Sequence, residues 1–209
     1  MNRTSSSVIT IFCLTALAIS AGTEQVHAQG FSLFGPPSSG KQMVQLKTRE
    51  RPGTIIVSFG DRKLYKLLKK GKAISYPIAV PRTISKWEGV LPVSYKKVNP
   101  SWTPTSTMRR ENPKLPAYVP GGHPRNPLGV RALYLGSTLY RIHGTDAPWT
   151  IGQAVSKGCI RMYNNDVVDL YNKTRVGTKV VVTWKKYKVA STYSTSQNAA
   201  INFEAVFSN

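Results

Sequence analysis

Carboxylates are scarce in this chain: nine Asp and Glu stand against 29 Lys and Arg, a formal net charge of +20 at pH 7. Most individual lysines read as solvated surface, but the balance as a whole favours a polyanionic partner: nucleic acid, anionic lipid or cell-wall polymer. Histidine and cysteine are scarcer still, at three and two. Beyond residue 28 only His123, His143 and Cys159 remain, without a fourth ligand or ligand spacing, so no metal centre is expected. No glycine-rich phosphate loop occurs, no cofactor is implied, and no nucleic-acid motif is present. Long apolar runs are missing too. Residues 8–21 form an apolar run diluted by Thr10, Thr15 and Ser20, too short for the ~20 residues that span a bilayer, so no stable membrane span is expected.

What is there begins with that short run. Arg3 precedes it, and "VHAQ" follows with small residues at Val26 and Ala28, the pattern of a secretory signal over residues 1–28 cleaved before Gln29. Cleavage removes Cys13 and leaves Cys159 alone. A lone thiol in an exported protein risks oxidation, so it needs a reason to be there. It is either a small buried hydrophobe or a reactive group. Export makes nucleic acid the poorest of the three polyanions.

Residues 29–53 are rich in Gly, Ser and Pro with little periodicity and read as a linker or arm. From residue 54 β-branched and aromatic runs alternate with turn residues, predicting strands near 54–59, 63–68 and 73–80. Within them "KLYKLLKKGK" reads as part of a hairpin rather than as a basic amphipathic helix. Residues 99–129 carry seven prolines, within the stretch "NPSWTPTSTMRRENPKLPAYVPGGHPRNPLGV". So long a connection inside a compact domain is usually functional, and Trp102, Tyr118, Arg109 and Arg110 suggest an ordered lid or substrate wall. Strands resume at "RALYLG" and "LYRIHG". A helix is expected at 165–174, capped by Asn164 or Asn165, with Val167, Leu170 and Tyr171 on one face. "GTKVVVTW" supplies a last strand, and residues 185–209 form a polar tail. The domain is mostly β with a late helix.

Cysteine attacks as thiolate, and an ordinary pKa of ~8.5 must be lowered by positive charge or an imidazole partner. His143 ends the run "LYRIHGT", sixteen positions before Cys159 in "AVSKGCIRM". A Cys/His couple suits acyl transfer through a thioester. Gly158 lets the backbone turn sharply and face its N–H groups to a developing oxyanion. Arg161 can hold a substrate carboxylate or brace the loop.

At these residues "YRIHGTDAPWTIGQAVSKGCIRMYNNDVVDLYNKTRVGTKVVV" resembles the catalytic core of the L,D-transpeptidase (YkuD) family, and "WTPTSTMRRENPKLPAYVPGG", "NPLGVRALYL" and "YPIAVPR" resemble its Gram-negative branch. The resemblance covers roughly residues 54–184. It implies a mainly β fold, a β-sandwich of mixed sheets with a long Pro-rich loop and one or two short helices. It also implies Cys159 as nucleophile, His143 as base and the Gly144 carbonyl as the group that orients the imidazole. Ser156, Gly158 and Arg161 match the motif frame, with the N–H groups of Gly158 and Cys159 as oxyanion donors. Family members cross-link peptidoglycan: the thiolate attacks the third residue of a tetrapeptide stem, expels the terminal D-alanine, and an amine of a neighbouring stem resolves the acyl-enzyme. Water (L,D-carboxypeptidase) or a protein side chain (wall attachment) replaces that amine in some relatives. Periplasmic, wall-associated action and acylation by carbapenem-type inhibitors are implied as well. The departure is Lys157, where the family most often has a second histidine. A basic wall-binding module without chemistry is the rival from another class. Lys157 and Thr145 are expected to modulate the site, whereas His123 reads as a loop histidine, Trp149 as loop-packing or stacking, and Tyr134 and Tyr140 as strand core.

Overall fold

The computed structural model describes residues 40–82 and 87–191. The segment read as a signal lies outside these residues, as do the ends of the arm and tail. In chain order the strands are β1 (Gln42–Leu46), β2 (Ile55–Ser58), β3 (Lys63–Leu67), β4 (Lys72–Pro77), β5 (Val80–Pro81), β6 (Gly89–Val98), β7 (Arg131–Leu135), β8 (Arg141–His143), β9 (Ala154–Ser156), β10 (Ile160–Arg161), β11 (Lys179–Thr183) and β12 (Val189–Ser191). Two helices, α1 (Ser106–Glu111) and α2 (Asn164–Asn172), complete the set with a 3-10 turn at Pro148–Thr150. None of the helices among the described residues is long and apolar enough to cross a membrane.

Ten strands form a mixed sheet in the order β10-β8-β7-β6-β11-β2-β3-β4-β1-β12, and β5 pairs with β9 alone. Strand β6 serves both halves. Residues 89–92 pair with β11 and residues 93–98 with β7, and the register shifts between Val93 and Tyr95. Such an irregularity bends a strand and sharpens its twist, so the sheet curls and its two halves share one core. Ile55, Val57, Leu64 and Tyr76 come to that core from one half; Leu133, Leu135, Ile142 and Ile160 come from the other. The mainly β, mixed-sheet fold is therefore the one expected.

Strand β2 explains the layering. Its four residues are all buried, and β-branched "IIV" suits a strand covered on both faces. Ile55 and Val57 enter the main core, while Ile56 points the other way into a second cluster with Tyr65, Leu67, Val44 and Leu46. That second cluster is closed by segments near the two limits of the described residues. Strand β1 pairs with β4 and β12, and Val189 packs beneath. Sheet-forming segments thus lie on both sides of residues 54–184. Polar flanks hide short strands whose partner lies far away in sequence.

Helix α2 begins at Asn164 with Tyr163 as N-cap and no side-chain cap. Neither asparagine caps it, because the Asn164 amide is engaged elsewhere, as described below. Val167 and Leu170 reach the core as their spacing predicted. Lys96 donates to the carbonyls of Tyr171 (2.7 Å) and Thr174 (2.6 Å), satisfying the exposed carbonyl end of the helix with a cation.

Candidate active site

Strands β8 and β10 lie side by side and parallel, with His143 opposite Arg161 and Ile142 opposite Ile160. Alternate residues of a strand share a face. His143 and Arg141 therefore lie on the same face as Arg161, and Cys159, the residue before β10, falls next to Arg141. These four side chains line one small cavity of ≈ 100 Å³, with Trp102 and Pro127 of the long loop forming part of its wall. Sixteen residues apart in sequence, the cysteine and the histidine are brought together by adjacent strands.

His143 is buried, 3% exposed. Its Nδ1 lies 2.6 Å from the Gly144 carbonyl oxygen, which can only accept, so Nδ1 carries the proton and Nε2 offers a lone pair. Burial pushes the imidazole pKa down to about 3, reinforced by the charges of Arg161 and Arg141 and opposed by the Gly144 contact. The ring is neutral at neutral pH.

Cys159 is partly buried. Burial pushes its thiol pKa up, while the Arg141 backbone contact, the Arg141 charge and Arg161 pull it down. The resting pair is thus thiol and neutral imidazole, with two guanidiniums poised to stabilise a thiolate as it forms. Arg161 is in register with the imidazole and acts on both partners through its charge.

The turn that presents the sulfur is built with glycine for two reasons. Gly158 has φ +127°, and a Cβ there would lie 2.6 Å from Cε1 of Tyr140. Tyr140 stacks on Trp87 at 4.2 Å and 6°, and Trp87 Nε1 donates to the Gly158 carbonyl at 3.0 Å. Ser156 closes the turn: its Oγ donates to the Cys159 carbonyl at 2.5 Å and lies 3.4 Å from the Gly158 N–H. That N–H, expected to face an oxyanion, is turned towards Ser156.

Asn164 fixes the strand end beyond the histidine. It accepts from Thr145 N at 3.1 Å and donates to Thr145 O at 3.0 Å. Thr145 is buried, and its Oγ1 accepts from Ala147 N at 3.0 Å. It shapes the chain and does not line the Cys159 cavity. Lys157 forms an ion pair with Glu111 at the end of α1, and both residues border a larger cavity of ≈ 710 Å³ that also reaches Cys159.

The other candidates separate cleanly. His123 Nδ1 accepts from Arg125 N within its own loop. Trp149 stands 73% exposed and lines neither Cys159 cavity. Arg109 donates to the Ala117 carbonyl at 3.0 Å, bracing the loop rather than meeting a ligand. Tyr134 lies under the Arg141 guanidinium. Among the described residues no three of His, Cys, Asp and Glu are grouped. Sequence reasoning missed Arg141, Trp87, Asn164 and Glu111. Arg141 alone carried a local signal, its i−2 position on the histidine strand; the rest are joined by contacts between distant segments.

The family model of the L,D-transpeptidase catalytic domain (YkuD) matches residues 52–182. The chain belongs to this family. An Escherichia coli relative named "Probable L,D-transpeptidase ErfK/SrfK" is 38% identical over 159 residues, covering 70% of this chain and 50% of that protein. A second, "Probable L,D-transpeptidase YbiS", is 39% identical over 136 residues, covering 60% and 43%. The chain spans about half the length of the curated relatives it matches. A solved L,D-transpeptidase from Mycobacterium smegmatis aligns with a TM-score of 0.49 at 15% identity, covering 66% of this chain and 58% of that one.

Proposed function

We propose that this chain is a peptidoglycan L,D-transpeptidase working through a Cys159 thioester. The observation that carries the reading is the shared cavity of Cys159 and His143, with His143 Nδ1 held on Gly144 and Nε2 left as acceptor. As Cys159 Sγ attacks the carbonyl at the third residue of a tetrapeptide stem, its proton passes to His143 Nε2. Because both groups rest neutral, proton transfer accompanies attack, and Arg141 and Arg161 steady the developing thiolate. The oxygen of the tetrahedral intermediate accepts from the Cys159 N–H. Gly158 supplies the turn, and its N–H takes part only if it leaves Ser156. Collapse breaks the C–N bond, the imidazolium protonates the leaving amine of D-alanine, and a thioester remains. An amine of a second stem then attacks, His143 takes its proton, and the thiol leaves with a new cross-link formed.

Water or a protein amine in the acceptor place gives L,D-carboxypeptidase or wall-attachment activity from the same residues. The periplasm, at the cell wall, is where the exported, strongly basic chain meets this anionic polymer, and a carbapenem carbonyl offers Cys159 the same target. A non-catalytic wall-binding module requires an inert, enclosed Cys159; the partial exposure and the two cavities at Cys159 argue against it. The test is incubation of the purified protein with disaccharide-tetrapeptide and mass analysis of products, with Cys159→Ala and His143→Ala alongside. Cross-linked dimer or loss of the terminal alanine, absent in both variants, supports the reading. A folded wild type that yields neither refutes it.

A further inference from the structure

The ≈ 710 Å³ cavity that reaches Cys159 has a mainly cationic wall. Arg82, Arg141 and Lys157 line it, and Glu111 is the one carboxylate among its lining residues. Arg82 is held beside the nucleophile turn by its backbone N–H, which donates to the Ser156 carbonyl at 3.0 Å. Glu111 reaches Lys157 across 46 residues of sequence, and Arg82 and Arg110 act on the same carboxylate electrostatically. The Lys157 side chain is 29% exposed and the Glu111 side chain 53%. An exposed pair of this kind is weak, so an incoming carboxylate can exchange with Glu111 at little cost.

We propose that Lys157 and Arg82 form a subsite for the terminal carboxylate of the peptide being cleaved, and that Glu111 is the intramolecular stand-in which this carboxylate displaces. The inference rests on the acyl-transfer reading above. In a tetrapeptide the terminal carboxylate belongs to the leaving residue and lies only three bonds from the attacked carbonyl carbon. Lys157 likewise precedes Cys159 by only two residues and borders the same cavity. The subsite thus selects peptides with a free terminal carboxylate over those whose terminus is amidated or extended.

The test measures dissociation constants by calorimetry in the full chain carrying Cys159→Ala, so that binding is read without turnover. The probes are the tetrapeptide with a free C-terminal carboxylate and the same peptide as its C-terminal amide. The acid binds more tightly than the amide. Glu111→Gln tightens the acid about two- to fivefold and leaves the amide unchanged, and Lys157→Met removes the preference. Equal binding of acid and amide, no binding of either, or an equal shift of both on Glu111→Gln overturns the subsite. Turnover is read separately on the chain with Cys159 intact. An enzyme that releases D-alanine but shows no acid preference loses this subsite and keeps its proposed chemistry.

Discussion

Two regions meet at Cys159, and they are held by different forces. Strand β8, which carries His143, and strand β10, which Cys159 directly precedes, are tied by backbone pairing, with Ile142 and Ile160 wholly buried. The loop of residues 99–129 forms the opposite wall with scarcely any regular structure. Asn126 secures it, with Nδ2 donating to the carbonyls of Pro100 (2.8 Å) and Pro120 (3.0 Å) and Oδ1 accepting from Leu128 N (2.9 Å). A two-way backbone bridge between Trp102 and Val119 and the Lys157–Glu111 pair complete its fastenings. The lesson is a division of labour. The proposed reacting groups sit on or beside paired backbone strands, and the proposed peptide-facing wall sits where a few side-chain contacts can be exchanged.

The sharpest break in that comparison comes on the strand side. Cys159→Ala abolishes acyl transfer, and His143→Gln lowers kcat by about 10²–10⁴-fold, in a product assay with the folded state checked by circular dichroism. On the loop side, Asn126→Ala strips partners from two carbonyls and one N–H in a buried setting and costs about 3 kcal/mol in urea unfolding. Its kinetic effect falls mainly on KM for the tetrapeptide; an equal fall in kcat would place the loop in the chemistry. Gly158→Ala forces a methyl into the Tyr140 ring at an unfavourable φ and costs about 2 kcal/mol. Here kcat suffers, because the sulfur moves while the loop stays in place.

The gentlest probe is pH. His143 is neutral in the folded protein, with its pKa depressed to about 3, but takes a proton near pH 6.5 when unfolded. The unfolded state therefore binds the extra proton, and the stability this group contributes is complete above pH 6.5 and declines as pH falls towards 3. Between pH 7 and pH 5 the loss is about 2 kcal/mol. His143→Asn, compared by urea midpoints at both pH values, lacks that portion of the decline.

Legibility in the sequence follows the same division. Strands β7, β8 and β11 and the apolar face of α2 stand out because buried β-branched and aromatic residues recur at short spacing. Strand β6 does not, because its burial pattern is mostly exposed or intermediate and Pro92, Lys96 and Lys97 mask it. Strand β12 acquires meaning only by pairing with β1, about 145 residues away, and β1 by lying between β4 and β12. Cys159 and His143 were visible through their chemistry and motif. Trp87, Asn164 and Glu111 were not, since each acts through contacts to a distant segment. The Gly158 N–H was expected as an oxyanion donor, and its turn towards Ser156 could be seen only in three dimensions.

The most direct test of the central claim is the intact mass of the protein after brief mixing with tetrapeptide, followed by peptide mapping. The account predicts an added mass equal to the tripeptide acyl group, on the peptide containing Cys159, with D-alanine released in equal amount. Release of D-alanine from Cys159→Ala, or an acyl group mapped to any other residue, would contradict it.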